Sequence, residues 1–453
     1  MSTRIFLLLA LLAGVPGWSQ ATGGGNPGTD EQPDNPVTND GMLTPPPVSG
    51  QTFPALTGAE LRANYLSLGL TGTVAYDNNV DAGYSTIPSA DTIYSIWPTI
   101  SMNRSSPRLR EMFNYSPGFS FYQPDTIYNA SDQNAAMNFE YLFTEHTSLT
   151  LRDNFLRSSS LFNQPFSAFD GGITGTGPTQ TTGAIAAFAN QLSNAAHAEL
   201  TNQAGDNGMF GLAADYGQLD YPQADQVPGL YNSTSYQGAA FTSQRITRRQ
   251  YLGGQVQHAR IVSFLKGTDN AVQRDNIFGF YTIYLRNSPQ NMLSLSFTGG
   301  PEHYNIAQSP EPLVEAWIPA GTVSFGWQSH LFTTSASYTH AVTAGGGLPG
   351  AYKEDAVSGM LRRQIAATWF VNVSALYSRN SNLTPTYPYA EPGGHTAALG
   401  TSVEHRLSRD LKMTLGYDWM DENYTGVGAL SQLPTGNREY GSLTYQITRP
   451  VGK

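Results

Sequence analysis

The sequence predicts an all-β protein: a closed, antiparallel transmembrane β-barrel of about 18 strands, with 16 strands as the alternative. Three observations support this fold class. Segments of about 10–15 residues alternate apolar with polar or tiny side chains, which is the periodicity of strands. Short turns and long loops alternate along the chain. Charged residues make up 13% of the 453 residues, about half of the roughly 25% that soluble domains carry. A soluble barrel or sandwich, the competing interpretation, rarely runs this long with so little charge.

Residues 1–21 have the pattern of a secretory signal peptide. Arg4 gives the positive start, residues 5–15 form an apolar core, and Ser19-Gln20-Ala21 supplies small residues before a cleavage site. A membrane-spanning helix, the alternative, needs about 20 apolar residues. Pro16 ends this run too early for that. We therefore expect the segment to be cleaved after export of the chain.

Residues 22–60 are rich in proline and glycine and include the run Pro45-Pro46-Pro47. Such a composition cannot bury a core or sustain a strand ladder, so we expect a disordered periplasmic segment. A proline-rich ligand for a partner protein is the alternative, although the basic residues that help such ligands to dock are missing. The barrel domain is expected to occupy residues 61–453.

Strand periodicity begins near Leu61 and continues to the end of the chain. In the first strand Leu66, Leu68 and Leu70 share one face, while small polar residues share the other. The parities of the ninth and tenth segments are ambiguous. The predicted strands are 66–77, 92–103, 110–122, 134–145, 147–157, 192–203, 208–219, 235–246, 250–262, 273–286, 290–304, 316–328, 330–342, 354–365, 368–380, 395–407, 410–423 and 437–449.

Aromatic residues support the membrane interpretation of this pattern. Trp327 and Trp369 lie at predicted short turns, whereas Tyr76, Tyr377 and Tyr424 lie near long loops. Two groups at the two strand ends resemble the aromatic girdles that mark both membrane interfaces. An even number of strands places both termini on the short-turn side, which we expect to be periplasmic.

The inner face of a barrel this size is expected to line a water-filled lumen. Opposite charges occur on the polar faces of neighbouring strands, where they could set a transverse field that screens solutes by charge. A salt-bridged wall that only stiffens the lumen is an equally weighted alternative. The candidate pore-lining residues are Glu140, Arg152, Glu404, Arg406, Lys412 and Asp418.

The longest predicted loop, 158–191, contains Phe162, Phe166 and Phe169. A loop of this length is usually functional or disordered. We expect it to fold inward as a constriction loop, with surface disorder as the alternative.

Several functional classes have no support in the sequence. The net charge of −10 and the lack of a basic stripe argue against nucleic-acid binding. The chain has no cysteine, hence no disulfide, thiolate metal site or lipid anchor. No catalytic or phosphate-binding motif occurs, so no enzyme activity, catalytic residue, cofactor or metal is expected. Residues 77–81 begin like a calcium loop, but Ala82 and Pro88 occupy positions that need glycine and glutamate.

Three segments resemble the bacterial family of β-barrel porins of type 2 and the related exopolysaccharide-associated outer-membrane barrels. They are the opening strand Leu66–Tyr76 running into Asp77-Asn78-Asn79-Val80, the segment Ser294–Tyr304 with Gly299-Gly300-Pro301, and the closing Leu443–Pro450. The resemblance covers roughly residues 61–453 and implies an outer-membrane location and a role in passing polysaccharide.

These observations together predict a porin-like channel in the bacterial outer membrane for small hydrophilic solutes or saccharide. The alternative is a plugged structural or surface-binding barrel without an open pore. Expected partners are outer-membrane lipid and lipopolysaccharide, the barrel-insertion machinery and a saccharide, but no nucleic acid.

Overall fold

The structure is a computed structural model of the chain. It describes residues 64–81, 85–160, 162, 190–222, 231–265, 268–288, 291–307, 314–343, 351–383, 393–425 and 435–451. The predicted signal peptide and proline-rich segment lie outside these residues. No helix in the described part of the chain is long and apolar enough to cross a membrane.

The fold is a single sheet of eighteen antiparallel strands that closes on itself, because β1 pairs with both β2 and β18. Closure leaves the sheet without an edge strand. The predicted fold class is confirmed. The strands are β1 Tyr65–Asp77, β2 Asp91–Ser105, β3 Leu109–Gln123, β4 Ala130–Leu142, β5 Thr147–Ser158, β6 Gln191–Ala204, β7 Gly208–Asp220, β8 Asn232–Thr247, β9 Gln250–Leu265, β10 Thr268–Ser288, β11 Asn291–Ala307, β12 Val314–Ser329, β13 Phe332–Thr343, β14 Tyr352–Ala366, β15 Trp369–Asn382, β16 Gly393–Arg406, β17 Leu411–Thr425 and β18 Thr435–Pro450.

The two ends of the barrel differ in their connections. At one end, which we call the short-turn end, strands are joined by turns such as 106–108, 248–249 and 367–368. The opposite, long-loop end carries connections such as 159–190 and 383–392. The β9–β10 hairpin is an exception at this end, because Leu265 pairs directly with Thr268. Residues expected to form a loop there belong instead to two long strands.

Along most of each strand, side chains alternate between the outside and the lumen, as the pleat requires. On β17 the outward positions run from Leu411 to Trp419 before Asp421 ends the apolar series. On β15 they run from Trp369 to Tyr377 before Arg379. The apolar outer belt is therefore about nine residues tall, or roughly 23 Å for strands tilted by about 40°. That height matches the apolar band of membrane barrels.

The predicted aromatic girdles are correct in part. Trp369 at the short-turn end and Tyr76 and Tyr377 at the long-loop end are exposed on the outer face. Tyr424 was predicted to join them, and that prediction is wrong. It is almost fully buried and points into the barrel, where its hydroxyl hydrogen-bonds with Thr396 at 2.8 Å. Its parity on β17 is that of Asp418, not that of Tyr417.

Candidate functional site: the barrel interior

The six residues predicted to line the pore all lie on the inner face of the barrel. Their strand parity is opposite to that of the exposed apolar side chains on the same strands. The structure brings Glu404, Arg406 and Lys412 together, and Glu140 and Arg152 share the opposite wall. Asp418 lies apart from both groups, towards the long-loop end of β17. Whether these residues screen solutes by charge stays a prediction.

A cationic cluster surrounds Glu404 near the short-turn end of β14–β17. The carboxylate of Glu404 lies 3.2 Å from Nη2 of Arg362, 3.8 Å from Nε of Arg406 and 3.8 Å from Nζ of Lys412. Glu404 is buried, while its three partners are partly exposed to the lumen. One carboxylate cannot neutralise three cations, so this cluster carries a net charge of about +2 at neutral pH.

Phe370 explains how the cluster is assembled. It is the direct cross-strand partner of Glu404, and the guanidinium groups of Arg362 and Arg406 lie 4.9 and 4.4 Å from the centre of its ring. Cation–π contacts of this kind hold two like charges beside one another while leaving their outer N–H groups free to bind solute.

The wall formed by β4–β8 carries a row of polar side chains at directly paired positions. Arg152 is the partner of Asn138 on one side and of His197 on the other, and His197 is in turn the partner of Asp215. Nδ1 of His197 lies 2.6 Å from Oδ1 of Asp215, and Nε2 lies 3.7 Å from Oε2 of Glu199. Arg152 interacts electrostatically with the carboxylates nearby. This wall is therefore a connected polar network.

A second pair lies on the same wall closer to the short-turn end, where Nη1 of Arg110 is 3.2 Å from Oε2 of Glu140. Together with this pair, the named groups of the wall are two arginines and His197 beside three carboxylates. Strand β5 lies nine strands from β14 in a sheet of eighteen, so this wall faces the cationic cluster across the barrel. The lumen thus has an excess of cations on one side and a network of both signs on the other.

Sequence reasoning missed His197, Glu199, Asp215 and Arg362. All four have the inward parity of their strands, which the periodicity of the sequence could have shown. Their grouping depends on the register between neighbouring strands, which alternation along one strand does not determine.

Asp418 belongs to a different group near the long-loop end. It is the direct partner of Arg438, which forms a buried ion pair with Asp77 at 3.0 Å. That ion pair joins β18 to β1, the two strands that close the barrel. The ring of Phe162 lies 4.6 Å from the Arg438 guanidinium carbon.

The position of Phe162 bears on the predicted constriction loop. Phe162 follows the end of β5, yet it contacts β18, and four strands of the wall separate the two. The chain has therefore entered the lumen by residue 162. Phe166 and Phe169 lie outside the described residues, and a constriction formed by them stays a prediction.

Tyrosines from opposite walls approach one another inside the long-loop end. Tyr221, which follows β7, is buried, hydrogen-bonds with Gln191 and lies in electrostatic range of Glu422 and Tyr424 on β17. Burial, followed by the charge of Glu422, raises the pKa of Tyr221 above its ordinary value, so its hydroxyl stays neutral. Strands β7 and β17 face each other across the barrel. Side chains thus span the lumen at this end.

In the part of the chain that the structure describes, no three histidine, aspartate or glutamate side chains are placed to hold a metal ion.

No protein-family model matches the sequence, and no curated protein matches it either. Among solved structures, Acinetobacter baumannii OccAB4 is similar with 8% identity and a TM-score of 0.38, covering 86% of this chain and 99% of that one. The Escherichia coli ferric-catecholate import receptor Fiu has 8% identity and a TM-score of 0.42, with 84% and 81% covered. Pseudomonas aeruginosa OccK2 in complex with glucuronate has 9% identity and a TM-score of 0.39, with 85% and 98% covered. TM-scores this low carry no conclusion about solute or mechanism.

Proposed function

We propose that the chain is a bacterial outer-membrane channel for small hydrophilic solutes. One observation carries the proposal: a closed barrel with an apolar outer belt has a charged inner face. In lipid, only a sheet without edges satisfies every backbone hydrogen bond, and an apolar exterior is then favourable. Charges are kept on the inner face because water in the lumen can solvate them.

Towards the long-loop end, polar pairs take the outward positions that apolar side chains occupy in the belt. This limit to the apolar belt supports the membrane location further. His340 lies 2.7 Å from Asp355, and His395 lies 3.1 Å from Asp421, all with outward parity. Charges at this level suit the headgroups of an outer leaflet rather than its hydrocarbon. We propose outer-membrane lipid and lipopolysaccharide as the surroundings, with the short-turn end in the periplasm.

The charge distribution of the lumen supports selectivity at the short-turn end. A solute that crosses the barrel passes the cationic cluster around Glu404 near the short-turn end of one wall and the Arg152–His197–Asp215 network midway along the strands of the facing wall. A transverse field of this kind favours solutes whose own charges can align with it. The excess of +2 on the cluster also favours anions, so we propose a modest anion preference.

Single-channel conductance of the refolded mature chain in a planar bilayer tests the proposal. Folding is established first by heat-dependent migration on a gel. Discrete, stable current steps with a reversal potential on the anion side are expected. A folded barrel that never conducts, at any voltage the bilayer tolerates, contradicts an open channel.

The alternative function, a plugged barrel, is favoured by a specific observation: Phe162 and Tyr221 both lie inside the lumen. Deleting residues 163–189 separates the two functions. A plugged barrel gains conductance from zero, whereas a constricted channel shows larger steps than the unaltered protein.

Passage of a saccharide is a finer proposal that rests on the resemblance to exopolysaccharide-associated barrels. A soluble oligosaccharide that enters the lumen should block the current in discrete events, and block should depend on the side of addition. Equal currents with and without saccharide contradict it.

Export by a cleaved signal peptide and insertion by the barrel-assembly machinery complete the proposal. The proposed role is transport rather than catalysis.

A further inference from the structure

Between β12 and β13, at a junction that we call the seam, the pairing stops before the described ends of both strands. Their pairing ends at Gly321 and His340. Both strands continue past this point, since β12 still pairs with β11 as far as Val314, and β13 still pairs with β14 as far as Thr343. Within the described residues, the upper parts of β12 and β13 are not paired with each other.

Pro319 explains why the seam opens there. It is the direct partner of Pro301 on β11, and neither residue has an N–H to donate. A proline pair fits a non-hydrogen-bonded position, so the nitrogen of Pro319 is directed towards β13. In the register of Gly321 and His340, its partner on β13 is Val342. The backbone groups of Val342 would therefore meet a residue that can accept a hydrogen bond but cannot donate one.

Two charged side chains bind those same backbone groups of Val342 instead. Its N–H donates to Oε1 of Glu302 on β11 at 3.0 Å, and its carbonyl oxygen accepts from Nη1 of Arg274 on β10. Glu302 is 0% exposed and Arg274 is 3% exposed. They replace, from the inner face of the wall, the hydrogen bonds that a neighbouring strand would supply. We call these two residues the clamp.

The burial of Val342 shows that the end of β13 lies inside the wall. By alternation Val342 belongs to the outward face of β13, like Tyr338, which is 41% exposed. Val342 is instead 0% exposed and packs with Val272 and Ile306, which are inward residues of β10 and β11. At Val342, the outward face of β13 thus packs against the inward faces of β10 and β11. The end of β13 therefore overlaps the inner side of the wall.

The described residues at the end of β13 and at the start of β14 are buried at the long-loop end. Val342, Thr343, Ala351 and Tyr352, which we call the β13 tip, are all almost fully buried. Tyr352 lies in electrostatic range of Tyr231, before β8, and of Tyr424. The tip therefore lies between the clamp and the tyrosines of the far wall.

The clamp is incompletely hydrogen-bonded in this arrangement. Nε of Arg274 and Oε2 of Glu302 are buried without a hydrogen-bond partner. One hydrogen bond from each side chain therefore holds Val342 in this arrangement.

We propose that the β13 tip is a gate for the lumen. In the closed state the Glu302–Arg274 clamp holds the tip inside the wall. In the open state the tip moves outward and residues 341–343 pair with residues 318–320 of β12, which extends the described pairing of the two strands and clears the long-loop end. This inference rests on the proposed channel function, but the movement can be tested without it.

The absence of cysteine gives a direct test of the movement. In a Val342→Cys protein the thiol is the only one, buried when the gate is closed and directed outward when it is open. Its rate of modification by a membrane-impermeant maleimide is measured in folded protein in lipid. We expect Glu302→Ala to raise this rate at least tenfold. Glu315→Ala is the matched control, because Glu315 is an outward carboxylate on β12, and it should leave the rate unchanged.

Pro319→Val tests the seam separately. Valine supplies the missing N–H and favours pairing with β13, so it should also raise the labelling rate at least tenfold. Pro301→Val, the matched control, restores an N–H on the side away from the seam and should not. Equal labelling rates in all backgrounds overturn the gate.

Conductance of the cysteine-free Glu302→Ala protein provides a second readout if Val342→Cys fails to fold. The open fraction should rise at least several-fold over the unaltered protein, and an unchanged fraction overturns the gate. If labelling becomes faster but no variant conducts in bilayers, the movement is supported and only the proposed channel function is contradicted.

Discussion

Reversing the charge of Lys412 is the most direct test of selectivity at the short-turn end. Nζ of Lys412 lies 3.8 Å from Glu404, and the side chain is 38% exposed. Lys412→Glu changes the net charge of the cluster around Glu404 from about +2 to about 0. Since Arg362 and Arg406 keep their contacts with Phe370, the cluster should stay assembled.

The expected effect follows from Coulomb's law. A solute ion about 8 Å from the side chain in water interacts with each unit charge by about 0.5 kcal/mol. A change of two units gives about 1 kcal/mol, which lowers the local concentration of an anion by a factor of about five and raises that of a cation by the same factor. Screening at about 0.1 M salt, where the Debye length is about 10 Å, reduces each factor to about two, so that the ratio of anions to cations changes about fivefold. The anion-to-cation permeability ratio should fall by that amount.

The reversal potential across a salt gradient measures this ratio in single channels. Arg363→Glu is the matched control: it makes the same charge change on the neighbouring outward position of β14. The shift should grow as salt is lowered and should be absent in the control. A reversal potential for Lys412→Glu equal to that of the unaltered protein refutes the assignment of this cluster to the solute path.

Three further outcomes are expected. Leu70→Arg should reduce the free energy of unfolding in lipid by about 2–4 kcal/mol because Leu70 is part of the apolar belt. Thr71→Arg on the lumen side should cost far less, and urea unfolding in bilayers compares the two variants. Arg152→Gln should shift selectivity towards cations, since the carboxylates beside it lose their counter-charge, and an unchanged reversal potential removes Arg152 from the path. Arg438→Met should cost about 3–5 kcal/mol because it leaves Asp77 buried without its partner, and a gel-shift temperature equal to that of the unaltered protein contradicts this.

The barrel could be predicted from the sequence because strand alternation is a local property. The inward or outward side of Glu140, Arg152 and Glu404 follows from their neighbours in the same strand, and the structure gives the predicted side for each. The membrane-facing belt is predictable for the same reason. Each strand must present apolar residues to lipid irrespective of which strand lies beside it.

Contacts between side chains of different strands could not be predicted in this way. His197, Asp215 and Arg152 meet because three separate strands have a particular register, and a shift by one residue would turn a side chain to the other face. The prediction for Tyr424 is wrong because an aromatic residue near a long loop can lie either in the outer girdle or inside the lumen. Val342 has outward parity but is buried, and only the break beside Pro319 accounts for that.

Our two proposals give the two ends of the lumen separate tasks. Near the short-turn end the cluster around Glu404 is partly exposed, and we propose that it sets which ions are favoured. Near the long-loop end the β13 tip and the tyrosines are buried, and we propose that they set whether ions pass. The two groups share no residue, and variants of independent sites have additive effects. Lys412→Glu should therefore change the reversal potential without changing the open fraction, and Glu302→Ala should do the reverse. In the double variant, both changes should appear at their single-variant sizes.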